Sequence, residues 1–251
     1  MRFFVIKMKY VILSAVVFVA LGCVAFIVGN TVEDVGNMQK EVPIYCVETD
    51  EKKIAITFDC AWNADDVDSI IETLKKYDCK ATFFVVGDWL ERFPDEVKKL
   101  SDNGHEIANH SYGHGHFNSM SKEQMLSDMQ KCDDKIKEVT GIAPTLFRAP
   151  YGEYNDLLIK TCRESGRIYI QWSVDSLDWK DISEQEIYDR CIKKSKSGDI
   201  LLLHNGTPYT AKVLPRILEE LAKEYKFVKV SDMIYKDNYT VDITGCQRKN
   251  K

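Results

Sequence analysis

The chain has 251 residues, of which 34 are basic and 39 acidic, giving a net charge of −5. That sign of charge, with no basic stripe, excludes a nucleic-acid partner. Hydrophobic residues make up 45% of the chain, enough for one domain with a sizeable core.

Arg2, Lys7 and Lys9 precede an uncharged apolar run from Tyr10 to Gly29. About 20 such residues cross a bilayer as a helix. The run passes through Val24–Val28 without a small-x-small exit site, so residues 1–30 read as an uncleaved anchor. Basic residues ahead of the span keep the N-terminus cytoplasmic. The protein is therefore expected to be single-pass and membrane-anchored, with everything after the span extracytoplasmic. Beyond it, 31 basic and 39 acidic residues leave a net charge of −8. Residues 31–42 read as a linker, 43–236 as one domain and 237–251 as a C-terminal tail. Seven cysteines lie beyond the span with no C-x-x-C pair, which excludes a zinc knuckle or a thioredoxin-like motif. Their irregular spacing reads as small buried apolar residues rather than a disulfide framework.

Strands and helices then alternate. Lys53–Phe58 is rich in strand formers, and Asp65–Tyr77 carries Val67, Ile70, Ile71 and Leu74 at helical spacing. Ala81–Val86 reads as a strand, followed by a helix from near Pro94 that stops before Asn103-Gly104. His105–Asn109 is a short strand, and Ser121 with Gln124 caps a long helix that Gly141 closes after Thr140. Leu146–Arg148 is a strand, Asn155–Ser165 a helix, Ile168–Val174 a strand and Ser183–Lys196 a helix. The nearly all-Leu strand Ile200–His204, a helix from about Thr210 to Tyr225 and Phe227–Val230 complete the domain. This alternation implies a parallel sheet with helices outside. About seven units suggest a (β/α)7-type barrel, smaller than the usual eightfold one.

Four of the five histidines fall within one twelve-residue window, His105, His110, His114 and His116. His110 and His114 are four apart, a spacing that lets two imidazoles converge on one metal ion. Gly113 and Gly115 put them on a loop rather than inside a helix. Asp59, His110, Arg148, Asp175, Asp178 and His204 all follow strands, at the C-terminal edge where such folds build active sites. A metal held by two histidines with open positions would turn a bound water into a nucleophile at neutral pH. Hydrolysis then needs a base, for which Asp59 is the natural candidate, and an acid, for which His204 is. Arg148 could orient Asp59, and Asp178 could orient His204 and support its charged form.

Thr57-Phe58-Asp59, His110–His114 (His-Ser-Tyr-Gly-His), Arg148–Gly152 (Arg-Ala-Pro-Tyr-Gly), Asp175–Trp179 (Asp-Ser-Leu-Asp-Trp) and Leu202–His204 resemble the five ordered motifs of the polysaccharide deacetylases of the NodB-homology type. The resemblance runs from about Pro43 to Tyr235, and the surrounding text is most similar to the sporulation-associated, PdaB-like branch. It implies a distorted barrel and a metal-dependent deacetylase of N-acetylated sugars, with a divalent metal, zinc foremost. The partner it implies is an N-acetylated glycan of the wall or spore cortex. Asp59 would be the base, His204 the acid, and His110 and His114 the metal ligands. Arg148 would position Asp59, Asp178 would tune His204, and the backbone N–H of Tyr151 would help stabilise the oxyanion. Trp179 and Leu202 would line the pocket for the acetyl methyl group.

One departure stands out. Where active family members usually carry a second Asp as third metal ligand, this chain has Cys60, followed by Ala61-Trp62-Asn63. Three outcomes are open: Cys60 ligates the metal as a thiolate, water or Asp65 or Asp66 completes the shell, or the site binds metal weakly. The last outcome leaves a catalytically degenerate glycan-binding or structural protein as the alternative to an enzyme. An O-acetyl esterase would use the same machinery.

Overall fold

The computed structural model describes residues 41–250. The apolar run Tyr10–Gly29 and the linker as far as residue 40 lie outside them. Among the described residues no helix is long and apolar enough to cross a membrane.

The strands are β1 (Cys46–Val47), β2 (Lys53–Cys60), β3 (Thr82–Val85), β4 (Glu106–Asn109), β5 (Leu146–Phe147), β6 (Ile168–Tyr169), β7 (Val174–Asp175), β8 (Ile200–His204), β9 (Lys226–Phe227), β10 (Tyr239–Val241) and β11 (Cys246–Lys249). The main sheet has the order β6-β5-β4-β3-β2-β8-β7, with β9 against the start of β2, and every pairing in it is parallel. Parallel strands need crossovers, and helices supply most of them here. All strand ends that could carry chemistry therefore lie on one edge.

Alternation along β2 divides its side chains between two faces. Ile54, Ile56, Phe58 and Cys60 pack outward into the helical layer, against Val67, Ile70 and Leu74 of the helix Val67–Lys76 and Val213, Leu214 and Ile217 of the helix Thr210–Leu221. Ala55 faces the other way, into a second cluster with Phe84, Ala108, Leu146, Ile170 and Ile200. Thr57 and Asp59 share that inner face. Apolar inner residues thus fill the bottom of the sheet's concave side, and polar ones occupy its upper edge.

The helix starts follow local capping chemistry. Ser121 and Ser183 each accept the N–H of the residue three ahead and complete capping boxes with Gln124 and Glu186, while Asn155 accepts the Leu158 N–H at 2.8 Å. Such caps contribute roughly 1 kcal/mol each. Gly141, at φ 78°, closes the long helix Lys122–Thr140.

The structure corrects the sequence reading in three places. Ile168–Val174 is not one strand but two, β6 and β7. Between them the incoming chain intervenes: Ile44 takes a hydrogen bond from Gln171 N–H at 2.7 Å and gives one to Tyr169 O at 3.0 Å. The sheet stays open there, so the fold is a half-barrel of parallel strands rather than a closed sevenfold ring. A short helix, Gly87–Arg92, precedes the one at Pro94. The stretch read as a C-terminal tail forms the hairpin β10–β11, which pairs with β1 in a separate three-stranded sheet.

His105 is structural. Its buried ring accepts the Ala81 N–H at Nδ1 (3.2 Å) and meets Phe83 edge-on. Burial, then the nearby Lys80 ammonium, pushes its pKa down to about 4 from the ordinary 6.5. Between those values the unfolded chain takes up a proton that the folded chain refuses, so this group's contribution is intact above pH 6.5 and is lost as pH falls. Melting temperature should drop from pH 7 to pH 5, and His105→Gln should remove part of that drop in a thermal scan at both pH values. An equal drop in the variant would show that His105 is not a cause.

Candidate active site

Asp59, next to last in β2, and His204, last in β8, are partners in register on adjacent strands, so their side chains leave the same face. Asp59 is buried. Its Oδ1 accepts from Arg148 Nη1 at 2.6 Å and its Oδ2 lies 3.4 Å from His110 Nε2. Burial alone would raise the Asp59 carboxyl, but the Arg148 charge and hydrogen bond, with the His204 charge, outweigh it and hold the pKa below the usual carboxylate value. An ionised carboxylate aimed at the cleft is what a general base requires.

Arg148 is fully buried, reaching back from the end of β5. It donates to Thr57 Oγ1 at 3.0 Å, Asp59 Oδ1 at 2.6 Å and the Gln171 carbonyl at 3.1 Å, and it lies 3.9 Å above the Phe84 ring. Three acceptors and an aromatic face fix the guanidinium, and through it the Asp59 rotamer.

Asp178, also fully buried, grips His204 twice. Its Oδ1 sits 2.7 Å from His204 Nδ1 and its Oδ2 accepts the His204 backbone N–H at 2.7 Å, with Thr210 Oγ1 donating to the same oxygen at 2.5 Å. Because a carboxylate only accepts, Nδ1 carries the proton and Nε2 is the atom left for the cleft. Burial would lower the His204 pKa, but Asp178, Asp59 and Asp175 overcome this and raise it. The imidazolium is thereby favoured, as suits a general acid.

His110 and His114 stand on the loop after β4. The His110 Nδ1–H donates to the Arg148 carbonyl at 2.8 Å, which leaves Nε2 as a lone pair facing Asp59. The His114 Nδ1 is 3.2 Å from the Tyr151 hydroxyl, and the two imidazoles are 5.2 Å apart. Burial lowers both pKa values, that of His114 to about 4 with His110 adding to the effect. Both rings are therefore neutral near pH 7, the form that ligates a metal. Partners that sequence reasoning missed hold this loop. Asn109 Oδ1 accepts the Ser111 N–H, and its amide reaches Met129 O and Asp133; Asp128 accepts from Tyr112 N–H at 2.7 Å. The clue was available, since Asp128 and Asp133 are carboxylates on the sheet-facing side of the capped helix. Of the remaining cluster, His105 is structural, as above, and His116 pairs with Glu153 on the surface.

The rim is aromatic. Tyr151 and Trp179 are 59% and 51% exposed, and Trp62 is 45% exposed with its ring 5.3 Å from that of His204. Trp62 was not singled out from sequence; its signal is an aromatic two residues beyond a strand-end Asp-Cys pair. Leu202 is buried beside Thr57 on the inner face, under the cleft. Ser111, His114, Tyr151 and Leu177 all adopt positive φ, from 53° to 70°, an unusual concentration for residues other than glycine.

Cys60 points elsewhere. As the residue after Asp59 on a continuous strand, it faces the helical layer and is fully buried among apolar side chains. Burial, then the Asp59 and Asp66 carboxylates, raises its pKa well above the ordinary thiol value, so it is a thiol and not a thiolate. Asp66 is tied to the His204 loop instead, accepting the Gly206 N–H at 2.8 Å, and Asp65 is exposed. Among the described residues no three His, Cys, Asp or Glu side chains are grouped to hold a metal. The donor set fits a divalent ion through His110 and His114, one protein ligand short of the three found in catalytic zinc sites.

Asp178→Asn should keep the contact to the His204 backbone while removing the charge, so the His204 pKa should fall and the imidazolium should disappear at lower pH. Titration of the His204 ring protons by NMR in both proteins checks this. An unchanged midpoint would remove Asp178 from its role.

The sequence profile described as polysaccharide deacetylase matches residues 47–170. A peptidoglycan-N-acetylglucosamine deacetylase of Bacillus cereus is 37% identical over 212 residues, covering 80% of this chain and 95% of that one. The peptidoglycan-N-acetylmuramic acid deacetylase PdaA of Bacillus subtilis is 30% identical over 204 residues, covering 79% and 77%. Among solved structures, a CE4 family pseudoenzyme from Bacillus anthracis superposes with a TM-score of 0.73 at 30% identity, covering 76% of this chain and 68% of that one. A mutant of the same pseudoenzyme, described as having restored enzymatic activity, superposes equally well. By these relatives and its half-barrel of parallel strands, the chain belongs to the polysaccharide deacetylase family, the carbohydrate deacetylases of the NodB type.

Proposed function

We propose that the protein removes acetyl groups from N-acetylated sugars of peptidoglycan or spore-cortex glycan, outside the membrane to which its N-terminal run anchors it. The observation that carries this reading is the opposed pair at one strand edge, Arg148–Asp59 and Asp178–His204, with its charges set for base and acid. The named substrates of the relatives support a wall glycan. In this reading the Trp62, Tyr151 and Trp179 rings offer faces to sugar rings, and Leu202 receives the acetyl methyl group.

In the reaction, the amide carbonyl of the substrate lies between Asp59 and His204. The Asp59 carboxylate takes a proton from the attacking water, and Arg148 keeps its oxygen oriented while that happens. His204, protonated at both nitrogens, gives its Nε2 proton to the departing sugar amine, and Asp178 stabilises the charge before transfer. The Tyr151 N–H donates to the developing oxyanion. A divalent ion held by His110 and His114 would supply Lewis acidity and a more acidic water.

Asp59→Asn and His204→Ala should each lower acetate release from purified peptidoglycan by on the order of 10²–10⁴ with the fold intact. Wild-type-like turnover in either would end this mechanism.

A second reading is favoured by the turned-away Cys60: a weakly metallated, catalytically degenerate glycan-binding protein, in keeping with the pseudoenzyme neighbour. Zinc titration separates the readings. Cys60→Ala should bind zinc as the wild type does, because the thiol is no ligand. Cys60→Asp should bind more tightly and release acetate faster, because the cost of burying a carboxylate in the apolar layer turns the strand end and brings the new group to the cleft, at some loss of melting temperature. Loss of zinc in Cys60→Ala would make the thiol a ligand after all. Tighter zinc in Cys60→Asp without any acetate release would favour the degenerate reading.

A further inference from the structure

Seven cysteines lie among the described residues. Five of them, Cys60, Cys79, Cys132, Cys162 and Cys191, are buried in the apolar clusters. Cys46 and Cys246 are the two that remain partly exposed. They are also each other's partners in register, where β1 pairs with β11. Side chains of register partners leave the same face, and a strand spacing of about 4.8 Å falls within the Cα separations of roughly 4.4–6.8 Å that a disulfide spans.

The backbone keeps this pair together. Tyr45 N–H donates to Gly245 O at 2.8 Å and Glu48 N–H to Gln247 O at 2.8 Å, one bond on each side of the two cysteines. The Arg248 guanidinium meets Glu48 at 2.8 Å. Gly245, at φ 80°, lets the hairpin turn lie against β1; a Cβ there would sit 2.3 Å from the Tyr45 ring and 2.9 Å from Pro43 O. Burial, then the neighbouring Cys246 thiol, raises the Cys46 thiol to about 12. Two thiols held side by side for no role in the cleft call for an account of their own.

We propose that Cys46 and Cys246 form a disulfide that staples the C-terminal hairpin to the first strand, made by thiol–disulfide exchange with a small or protein-borne disulfide donor. One of the two thiols loses its proton and attacks the donor's S–S bond, releasing one donor thiol and forming a mixed disulfide. The second, deprotonated in turn, attacks the protein sulfur of that mixed disulfide and expels the other donor thiol. Two protein thiols are oxidised to one S–S bond, and the donor disulfide is reduced to two thiols. Such donors act in exported compartments, where the N-terminal segment is expected to deliver this domain. The bond closes a loop of about 200 residues, a length at which cross-linking strongly restricts the unfolded chain.

The test uses the full-length chain incubated with oxidised glutathione, alkylated, and digested without reductant. We expect a peptide pair joined through Cys46 and Cys246, a mass lower by about 2 Da and two fewer titratable thiols. The oxidised protein should melt about 5 °C or more above the reduced one. Reductant should abolish that gain, and Cys46→Ser and Cys246→Ser should each lack it while matching the circular dichroism of the reduced wild type. Cys46 and Cys246 recovered separately alkylated, carrying only glutathione, or bridged to other cysteines would overturn the proposal. Neither residue touches the cleft, so this result and acetate release are read independently.

Discussion

The buried Arg148 guanidinium is the interaction on which the site rests. It reaches from the end of β5 to Thr57 and Asp59 on β2 and to Gln171 at the opening between β6 and β7, so one side chain crosses the concave face of the sheet. A fully buried cation is costly unless its hydrogen bonds are met, and Asp59 with two neutral acceptors and the Phe84 ring meets most of them. Removing either charge would leave the other stranded, at about 3–5 kcal/mol. Asp59 is therefore ionised for structural reasons before any substrate arrives. The Arg148 backbone carbonyl also sets the His110 tautomer, so the same residue positions the Asp59 carboxylate and one imidazole.

The electrostatics sort the histidines by what faces each one. His204 has a carboxylate at its back and is pushed toward the cation. Burial pushes His105 and His114 toward the neutral ring, the Lys80 ammonium adding to it at His105 and the His110 imidazole at His114. Equivalent letters in the sequence thus become a ring biased to its cation, a structural acceptor and a candidate ligand through burial and neighbours alone.

Much of this was legible beforehand. Alternating periodicity, Ser and Asn caps and the closing glycines marked most elements, and strand-end positions picked out Asp59, Arg148, Asp178 and His204. What stayed hidden depended on direction and long-range pairing. The letter Cys60 beside Asp59 suggests a ligand, yet in an uninterrupted strand consecutive side chains leave opposite faces, and Cys60 falls on the helical side. Ile168–Val174 looks like one strand because the separating element, Ile44, lies more than a hundred residues away. The hairpin β10–β11 has weak local pattern and gains its place by pairing with β1.

Four of the six non-glycine residues at positive φ among the described residues, Ser111, His114, Tyr151 and Leu177, belong to the loops around the cleft. Each such conformation costs of order 1 kcal/mol or more, supplied by the surrounding packed core. An engineer seeking heat tolerance would find these positions inviting, since glycine would relax every one of them. The same exchange would free the loops to wander and dissolve the aim of the groups they carry. Thermal robustness in this protein is better sought at the helical layer and the surface, leaving the tense rim as it is.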